Sequence, residues 1–305
     1  MARPGHNPGV PTAPEPPVLT YDPQPRPPRL RLPAGACDSH VHVFGPAQRF
    51  PYAPGRNFTP VDAPKEALFA LHRTLGIDRC VIVQSFVHGF DNRVVEDAIA
   101  AGGGRYLGVA LVPVDVPDAE LERLAAAGIR GVRFNFMQHL PGAVDLPALL
   151  ALTQRLRAVG MHLQVHFQPS LVHELAAPLA RSAVPVVIDH MGRVDASLGA
   201  GHPDFRALVE LMANPLFRVK VSGIDRIDSA PAAAPGYIRG VELARLLVAA
   251  CPDRCLWGTD WPHPNHTHVP SDAALVEALE RIAPEPGLLQ KLLVTNPATF
   301  YRFEE

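Results

Sequence analysis

The sequence predicts a single (β/α)8 barrel, and three observations support this fold class. Short apolar runs, many of them β-branched, alternate with longer amphipathic runs from residue 34 onward, which is typical of parallel βαβ units. The alternation occurs eight times without a glycine-rich phosphate turn, and this favours a closed barrel over an open dinucleotide-binding sheet. Excluding the first 33 of the 305 residues leaves 272, close to the ~250 residues of a typical barrel.

Length separates the two kinds of element, because the strand runs have 5–9 residues and the helical runs 10 or more. The predicted strands are 36–44, 79–84, 106–112, 129–135, 162–167, 185–191, 217–223 and 255–261. The predicted helices are 64–76, 91–102, 117–127, 145–160, 171–181, 203–213, 237–250 and 271–282.

The N-terminal segment differs in composition from the rest of the chain. Residues 1–33 contain 11 of the 34 prolines. Proline removes backbone donors and favours extended polyproline II. We therefore expect a disordered proline-rich tail at 1–33 and one barrel domain at 34–305.

Composition and charge exclude several classes of protein. Apolar residues make up 47% of the chain and charged residues 19%, as in folded globular proteins. A net charge of −2 offers no basic excess for a nucleic-acid partner, and no apolar run reaches the ~18 residues needed to span a membrane. The four cysteines and the absence of a signal-peptide pattern predict reduced thiols and a cytoplasmic protein. The sequence leaves open whether the chain forms a homo-oligomer.

Histidines concentrate at one end of the predicted barrel. In this fold, catalytic groups come from the C-terminal ends of the strands and the loops that follow them. Nine of the 14 histidines fall there: His40, His42, His88, His139, His166, His190, His263, His266 and His268. Since an unpaired buried imidazole is costly, this clustering indicates a functional rim.

A candidate metal site begins with the H-x-H pattern of His40 and His42. Alternate residues of a strand share a face, so both imidazoles are expected to point into the barrel mouth. His166 ends the fifth predicted strand and Asp260 ends the eighth. These four side chains suit one divalent ion, with zinc the first choice and manganese the second. Asp260 is also the candidate base, and His190 is expected to stabilise the oxyanion.

Further residues are candidates for substrate binding. Arg133 and Arg226 would hold carboxylates of an anionic substrate. Tyr52, His88 and Asn92 lie on predicted rim loops and are expected to contact the substrate.

Two charged residues receive no catalytic role from the pattern. Asp189 precedes His190, so strand alternation predicts that it faces away from the mouth. Lys220 is expected to line the lower barrel.

Seven segments carry a family resemblance: CDSHVHVF, VIVQSFVHGFDN, GIRGVRFNF, VHF, VVIDHMGR, VKVSG and WGTDWPHPN. In this order they resemble the amidohydrolase superfamily, and most closely its branch of 2-pyrone-4,6-dicarboxylate hydrolase and related lactonases, over residues 34–304. The resemblance implies that His40, His42 and Asp260 surround the reacting water. It implies that His190 polarises the substrate or helps to activate water.

The same resemblance bears on substrate and cofactor. It implies that Arg133 and Arg226 bind substrate carboxylates, and it includes members that work without a metal. In the pyrone hydrolase a tyrosine stands at the position of His166 and an arginine at that of His139. Histidine cannot form the bidentate fork of guanidinium, so a smaller lactone acid is expected, with His139 still a candidate contact.

The leading functional prediction is hydrolysis of a lactone that carries one or more carboxylates. A zinc-dependent decarboxylase of an unsaturated carboxylic acid and a metal-free lactone isomerase are the alternatives, because similar His and Asp sets serve those reactions. A non-enzymatic binding barrel is disfavoured by the joint presence of His40, His42, His190 and Asp260.

Overall fold

The computed structural model describes residues 17–56, 58–137, 144–228, 236–266 and 268–303. Eight parallel strands lie side by side in chain order. They are β1 (Cys37–Val41), β2 (Arg79–Val83), β3 (Tyr106–Ala110), β4 (Ile129–Asn135), β5 (His162–His166), β6 (Val186–Ile188), β7 (Phe217–Lys220) and β8 (Cys255–Leu256). Backbone hydrogen bonds from Ser39 N to Trp257 O (2.7 Å) and from Asp260 N to His40 O (2.8 Å) join β1 to the segment that directly follows β8. The predicted barrel is therefore confirmed.

Helices follow the strands and cover the outside of the barrel. They are α1 (Lys65–Leu75), α2 (Arg93–Ala101), α3 (Asp118–Ala126), α4 (Leu146–Ala158), α5 (Val172–Leu179), α6 (Pro203–Leu211), α7 (Ile224–Ile227), α8 (Ile238–Ala250), α9 (Asp272–Glu277), α10 (Leu279–Ile282), α11 (Pro286–Gln290) and α12 (Asn296–Tyr301). In α1, Leu68, Leu71 and Leu75 form the buried face, and Gly76 with φ 77° ends the helix in the left-handed conformation. None of the described helices has the length and apolar character needed to cross a bilayer.

Seven of the eight strands end one to five residues earlier than the sequence predicts, and after three of them the backbone turns left-handed. His190 and Met191 have φ of 47° and 53°, Asp260 has 64° and Gly223 has 71°. A left-handed residue cannot continue a β-strand, so β6 ends at Ile188. All four positions follow a C-terminal strand end, where the barrel mouth lies.

The described part of the predicted tail, residues 17–33, packs against the barrel. The Thr20 hydroxyl donates to the carbonyl of Pro262, and the Tyr21 ring lies 5.1 Å from the Trp261 ring in an edge-on contact. The prediction of a disordered segment is therefore wrong for this stretch, because its apolar and hydroxyl side chains find partners on the β8 loop. The rest of the predicted tail lies outside the described residues.

Candidate active site

A cavity of about 220 Å³ opens at the C-terminal ends of the strands. Its walls carry mostly polar and charged side chains. They are His42, Ser85, Phe86, Arg133, Asn135, Met137, His166, His190, Arg193, Arg226, Asp260, Pro264 and Asn265. Since this rim is where catalytic groups of the fold gather, the cavity is the candidate active site.

Asp260 lies at the centre of the predicted histidine cluster. Its Oδ1 atom is 3.7 Å from His40 Nε2, 3.4 Å from His42 Nε2 and 3.8 Å from His190 Nε2. Asp260 Oδ1 and His40 Nε2 are buried without a hydrogen-bond partner. The other carboxylate oxygen, Oδ2, accepts a hydrogen bond from Arg226 Nε. One oxygen is thus anchored, and the other is available for chemistry.

The charge state of this cluster follows from burial and neighbouring charge. Burial would raise the pKa of Asp260, but Arg226 and His190 hold it well below the ordinary value. Burial, together with the charge of Lys220, lowers the pKa of His40 to about 4, and burial lowers the pKa of His190 well below its usual value. At neutral pH the Asp260 carboxylate therefore lies beside the uncharged imidazoles of His40 and His190, as a general base requires.

Hydrogen bonds fix how the other rim imidazoles present their nitrogens. His42 Nδ1 lies 2.7 Å from the carbonyl of Val83, so it donates there and leaves Nε2 as an acceptor. His166 Nδ1 lies 2.9 Å from Asn135 Oδ1 in the same arrangement. His190 differs, because its Nδ1 lies 2.9 Å from the Ser222 hydroxyl, which can donate to it.

The predicted metal ligands are only partly brought together. Among the described residues, His40, His190 and Asp260 offer possible ligand atoms within 4.8 Å of one another. Of the other two predicted ligands, His42 contacts this group at Asp260, with 3.4 Å between His42 Nε2 and Asp260 Oδ1. His166 lies further out, with 5.5 Å between its ring centroid and that of His190. The unpartnered His40 Nε2 and Asp260 Oδ1 make the group a possible cation site.

A second layer of charge lies directly beneath the cluster. Asp189 Oδ2 accepts hydrogen bonds from Arg133 Nε (2.7 Å) and Gln164 Nε2 (3.1 Å). Asp189 Oδ1 lies 3.3 Å from His40 Nδ1 and 3.8 Å from Lys220 Nζ. The prediction that Asp189 faces away from the mouth is therefore wrong. Strand β6 ends at Ile188, one residue before Asp189, so the strand alternation does not extend to this side chain.

Three guanidinium groups face the cavity, and one of them was not predicted. Arg133 is bonded to Asp189 through Nε, and Arg226 to Asp260, but both line the cavity. Arg193 has φ 58° at the end of the turn after β6. Burial and the nearby Arg226 charge lower its pKa to about 10. The signal for Arg193 was present in the segment VVIDHMGR, three residues after the histidine.

The predicted contacts on the rim loops do not line the cavity. The Tyr52 hydroxyl donates to Asp62. Both nitrogens of His88 are engaged, with Pro51 O at 3.2 Å and the Gly45 amide at 3.2 Å. These bonds hold neighbouring loops in place, and contact of either side chain with substrate stays a prediction.

Asn92 has the same loop-holding role, and the other predicted histidines are also bonded away from the cavity. Asn92 exchanges two hydrogen bonds with the Leu111 backbone (2.9 and 3.0 Å), and its contact with substrate stays a prediction. Among the rim histidines, His263 pairs with Asp272 and His266 with Asp225. His139 lies outside the described residues.

A barrel with a histidine pair on its first strand, a histidine after the sixth and an aspartate after the eighth defines an amidohydrolase-type enzyme. The amidohydrolase family model matches residues 37–303, and the chain belongs to this family. Proteins of this superfamily commonly bind a metal.

Curated relatives and solved structures point to one group of enzymes within the family. A 2-pyrone-4,6-dicarboxylate hydrolase of Comamonas testosteroni is 42% identical over 94% of this chain and 96% of its own. A 4-sulfomuconolactone hydrolase of Hydrogenophaga intermedia is 38% identical over 90% of each chain. The structure of a candidate 2-pyrone-4,6-dicarboxylic acid hydrolase from Pseudomonas putida has a TM-score of 0.76 at 33% identity, covering 90% of this chain and 100% of that one.

Proposed function

We propose that this protein opens a lactone ring that carries acidic groups, using a water molecule activated at Asp260. It is an enzyme that hydrolyses the ester bond of a lactone, as the family and the similar hydrolases support. The observation that carries the mechanism is the unpartnered Asp260 Oδ1, with three imidazole nitrogens within 3.4–3.8 Å. Asp260 lines a cavity whose walls also carry guanidinium groups.

The reaction uses one proton acceptor and one stabiliser of negative charge. Asp260 Oδ1 accepts a proton from water as the oxygen bonds to the lactone carbonyl carbon. The carbonyl oxygen becomes an oxyanion, which His190 Nε2 stabilises by hydrogen bonding while Ser222 donates to Nδ1. The ring C–O bond then breaks, and the proton held by Asp260 passes to the leaving oxygen. The product carries one hydroxyl and one new carboxylic acid, which ionises at neutral pH and releases the second proton of the water to solvent.

Guanidinium groups supply the recognition of an acidic substrate. Arg226 Nη2 is buried and has no hydrogen-bond partner, so a substrate carboxylate could satisfy it. Arg193 forms no ion pair within the described part of the chain, and Arg133 completes this side of the cavity. His139 stays a predicted contact.

A divalent ion, with zinc first and manganese second, stays a prediction for this site. The spacing of His40, His190 and Asp260 supports it. The contacts of Arg226 with Asp260 and of Lys220 with His40 oppose it, because each directs a positive charge at a ligand. The steps above therefore use no ion. Elemental analysis of protein purified without chelator, paired with activity after chelation, tests this point.

The test of the reaction is a panel of carboxylated lactones with the product mass as readout. Hydrolysis adds the mass of one water, decarboxylation removes that of carbon dioxide, and isomerisation changes nothing. A product of unchanged mass would contradict the proposal. A protein that binds every lactone without turnover would support the binding barrel instead.

Two broader expectations stay predictions. Cell fractionation tests the cytoplasmic location, and size-exclusion chromatography with light scattering tests whether the chain forms a homo-oligomer.

A further inference from the structure

Lys220 is a fully buried lysine that the mechanism above does not use. Its side chain is 0% exposed on β7, in a position where an ammonium needs partners. Lys220 Nζ donates to Gln164 Oε1 at 2.9 Å and lies 3.3 Å from His40 Nδ1. Asp189 Oδ1 is its third neighbour, at 3.8 Å. This set links Lys220 to one of the three imidazoles around Asp260.

The chemistry of an ammonium decides where the proton of His40 lies. A lysine ammonium has three protons and no lone pair, so a nitrogen 3.3 Å from it must accept. His40 Nδ1 therefore carries a lone pair, and the single proton of the neutral ring is on Nε2. That is the nitrogen 3.7 Å from Asp260 Oδ1.

Asp189 is the competing partner for His40 Nδ1, at 3.3 Å from Oδ1. A proton on Nδ1 could be donated to this carboxylate, but it would then stand against the Lys220 ammonium at the same distance. Asp189 accepts through Oδ2 from Arg133 and Gln164, and its Oδ1, although it lies 3.3 Å from His40 Nδ1, makes no hydrogen bond in the structure. The contacts favour donation by Lys220.

We propose that Lys220 is a positioning residue for the hydrolysis, which holds the proton of His40 on Nε2 and makes that nitrogen a hydrogen-bond donor beside Asp260. This inference rests on the proposed function, since Asp260 is where water is activated.

The two histidines of the H-x-H pattern then have opposite polarity. His42 Nε2 is an acceptor because its Nδ1 donates to Val83 O, whereas His40 Nε2 is a donor. A water beside Asp260 can donate its protons to Asp260 and His42 and accept one hydrogen bond from His40. Its remaining lone pair is free to attack the lactone, so the arrangement orients the nucleophile.

The direct test is the protonation pattern of His40 in the unmodified protein. Nitrogen-15 NMR of histidine-labelled protein at neutral pH, with the resonance assigned by its loss in His40→Gln, distinguishes the two tautomers. We expect a protonated Nε2 and an unprotonated Nδ1. A proton on Nδ1 overturns the proposal, whatever the substrate proves to be, so this outcome is separable from a failure of lactone hydrolysis.

The second test removes the ammonium. In Lys220→Met we expect the proton of His40 to move to Nδ1, where Asp189 can accept it, and kcat to fall about 10²-fold with little change in KM. The freed Nε2 should also raise zinc uptake during equilibration with the metal alone. Lys291→Met is the matched control, because it removes the same charge from a half-exposed ion pair with Asp253.

Three outcomes of the second test count against the inference. An unchanged tautomer in Lys220→Met overturns it, as does equal loss of kcat in Lys291→Met. Zinc bound through His40 in the unmodified protein also overturns it. If Lys220→Met fails to fold, the tautomer of the unmodified protein decides alone.

Discussion

Replacing Asp260 by Asn gives the sharpest test of the proposed reaction. The amide keeps the shape of the side chain but cannot accept the proton of water. Loss of a general base costs about 10²–10⁴ in rate, which at about 1.36 kcal/mol per tenfold is about 3–5 kcal/mol of transition-state stabilisation. The same change removes the charge that faces Arg226, whose side chain is only 8% exposed, so we also expect a loss of about 3 kcal/mol in the free energy of unfolding.

The two effects of Asp260→Asn are separated by assay. Initial rates on an acidic lactone are compared at a temperature where circular dichroism shows both proteins folded, and unfolding is followed in urea. Asp91→Asn is the matched control, since its partner Arg93 is exposed and lies away from the cavity. Turnover of Asp260→Asn within about threefold of the unmodified protein would remove Asp260 from the mechanism.

Three further changes have distinct expected results. Arg133→Met leaves Asp189 without its ion-pair partner, so the free energy of unfolding in urea should fall by about 3–5 kcal/mol; an unchanged midpoint would contradict the pairing. Arg193→Met should raise KM about tenfold or more for an acidic lactone but not for a neutral one of similar shape; equal effects on both would show a structural role. Deletion of residues 1–33 should lower the melting temperature in calorimetry, because Tyr21 packs against the barrel; an unchanged value would mean that the contact contributes nothing.

The fold could be predicted from the sequence because its signal is repeated. Eight strand–helix units each carry their own apolar pattern, so an error at one boundary leaves the topology unchanged. The boundaries themselves depend on backbone conformation at single residues. The positive φ of His190 and Met191 ended β6 early, and no composition rule marks a left-handed histidine or methionine.

The site was predictable where residues belong to a regular strand. Arg133 on β4 and His166 at the end of β5 both line the cavity, as predicted. Asp189 was misplaced because the alternation was applied beyond the end of β6. Tyr52 and His88 were assigned from position near the rim alone, and their hydrogen-bond partners come from other loops, a relation that a single sequence does not contain.

Charge balance at the barrel mouth favours the proposed acidic substrate and opposes the predicted cation. The cationic side chains in and beneath the site are Arg133, Arg193, Lys220 and Arg226. Two carboxylates, Asp189 and Asp260, oppose them, and the imidazoles with lowered pKa add no charge. Among these groups the cations exceed the carboxylates by two before substrate enters, while the buried Asp38 and Asp225 act on Lys220 and Arg193 from a greater distance. A lactone with two acidic groups would neutralise this excess, whereas a divalent cation would double it.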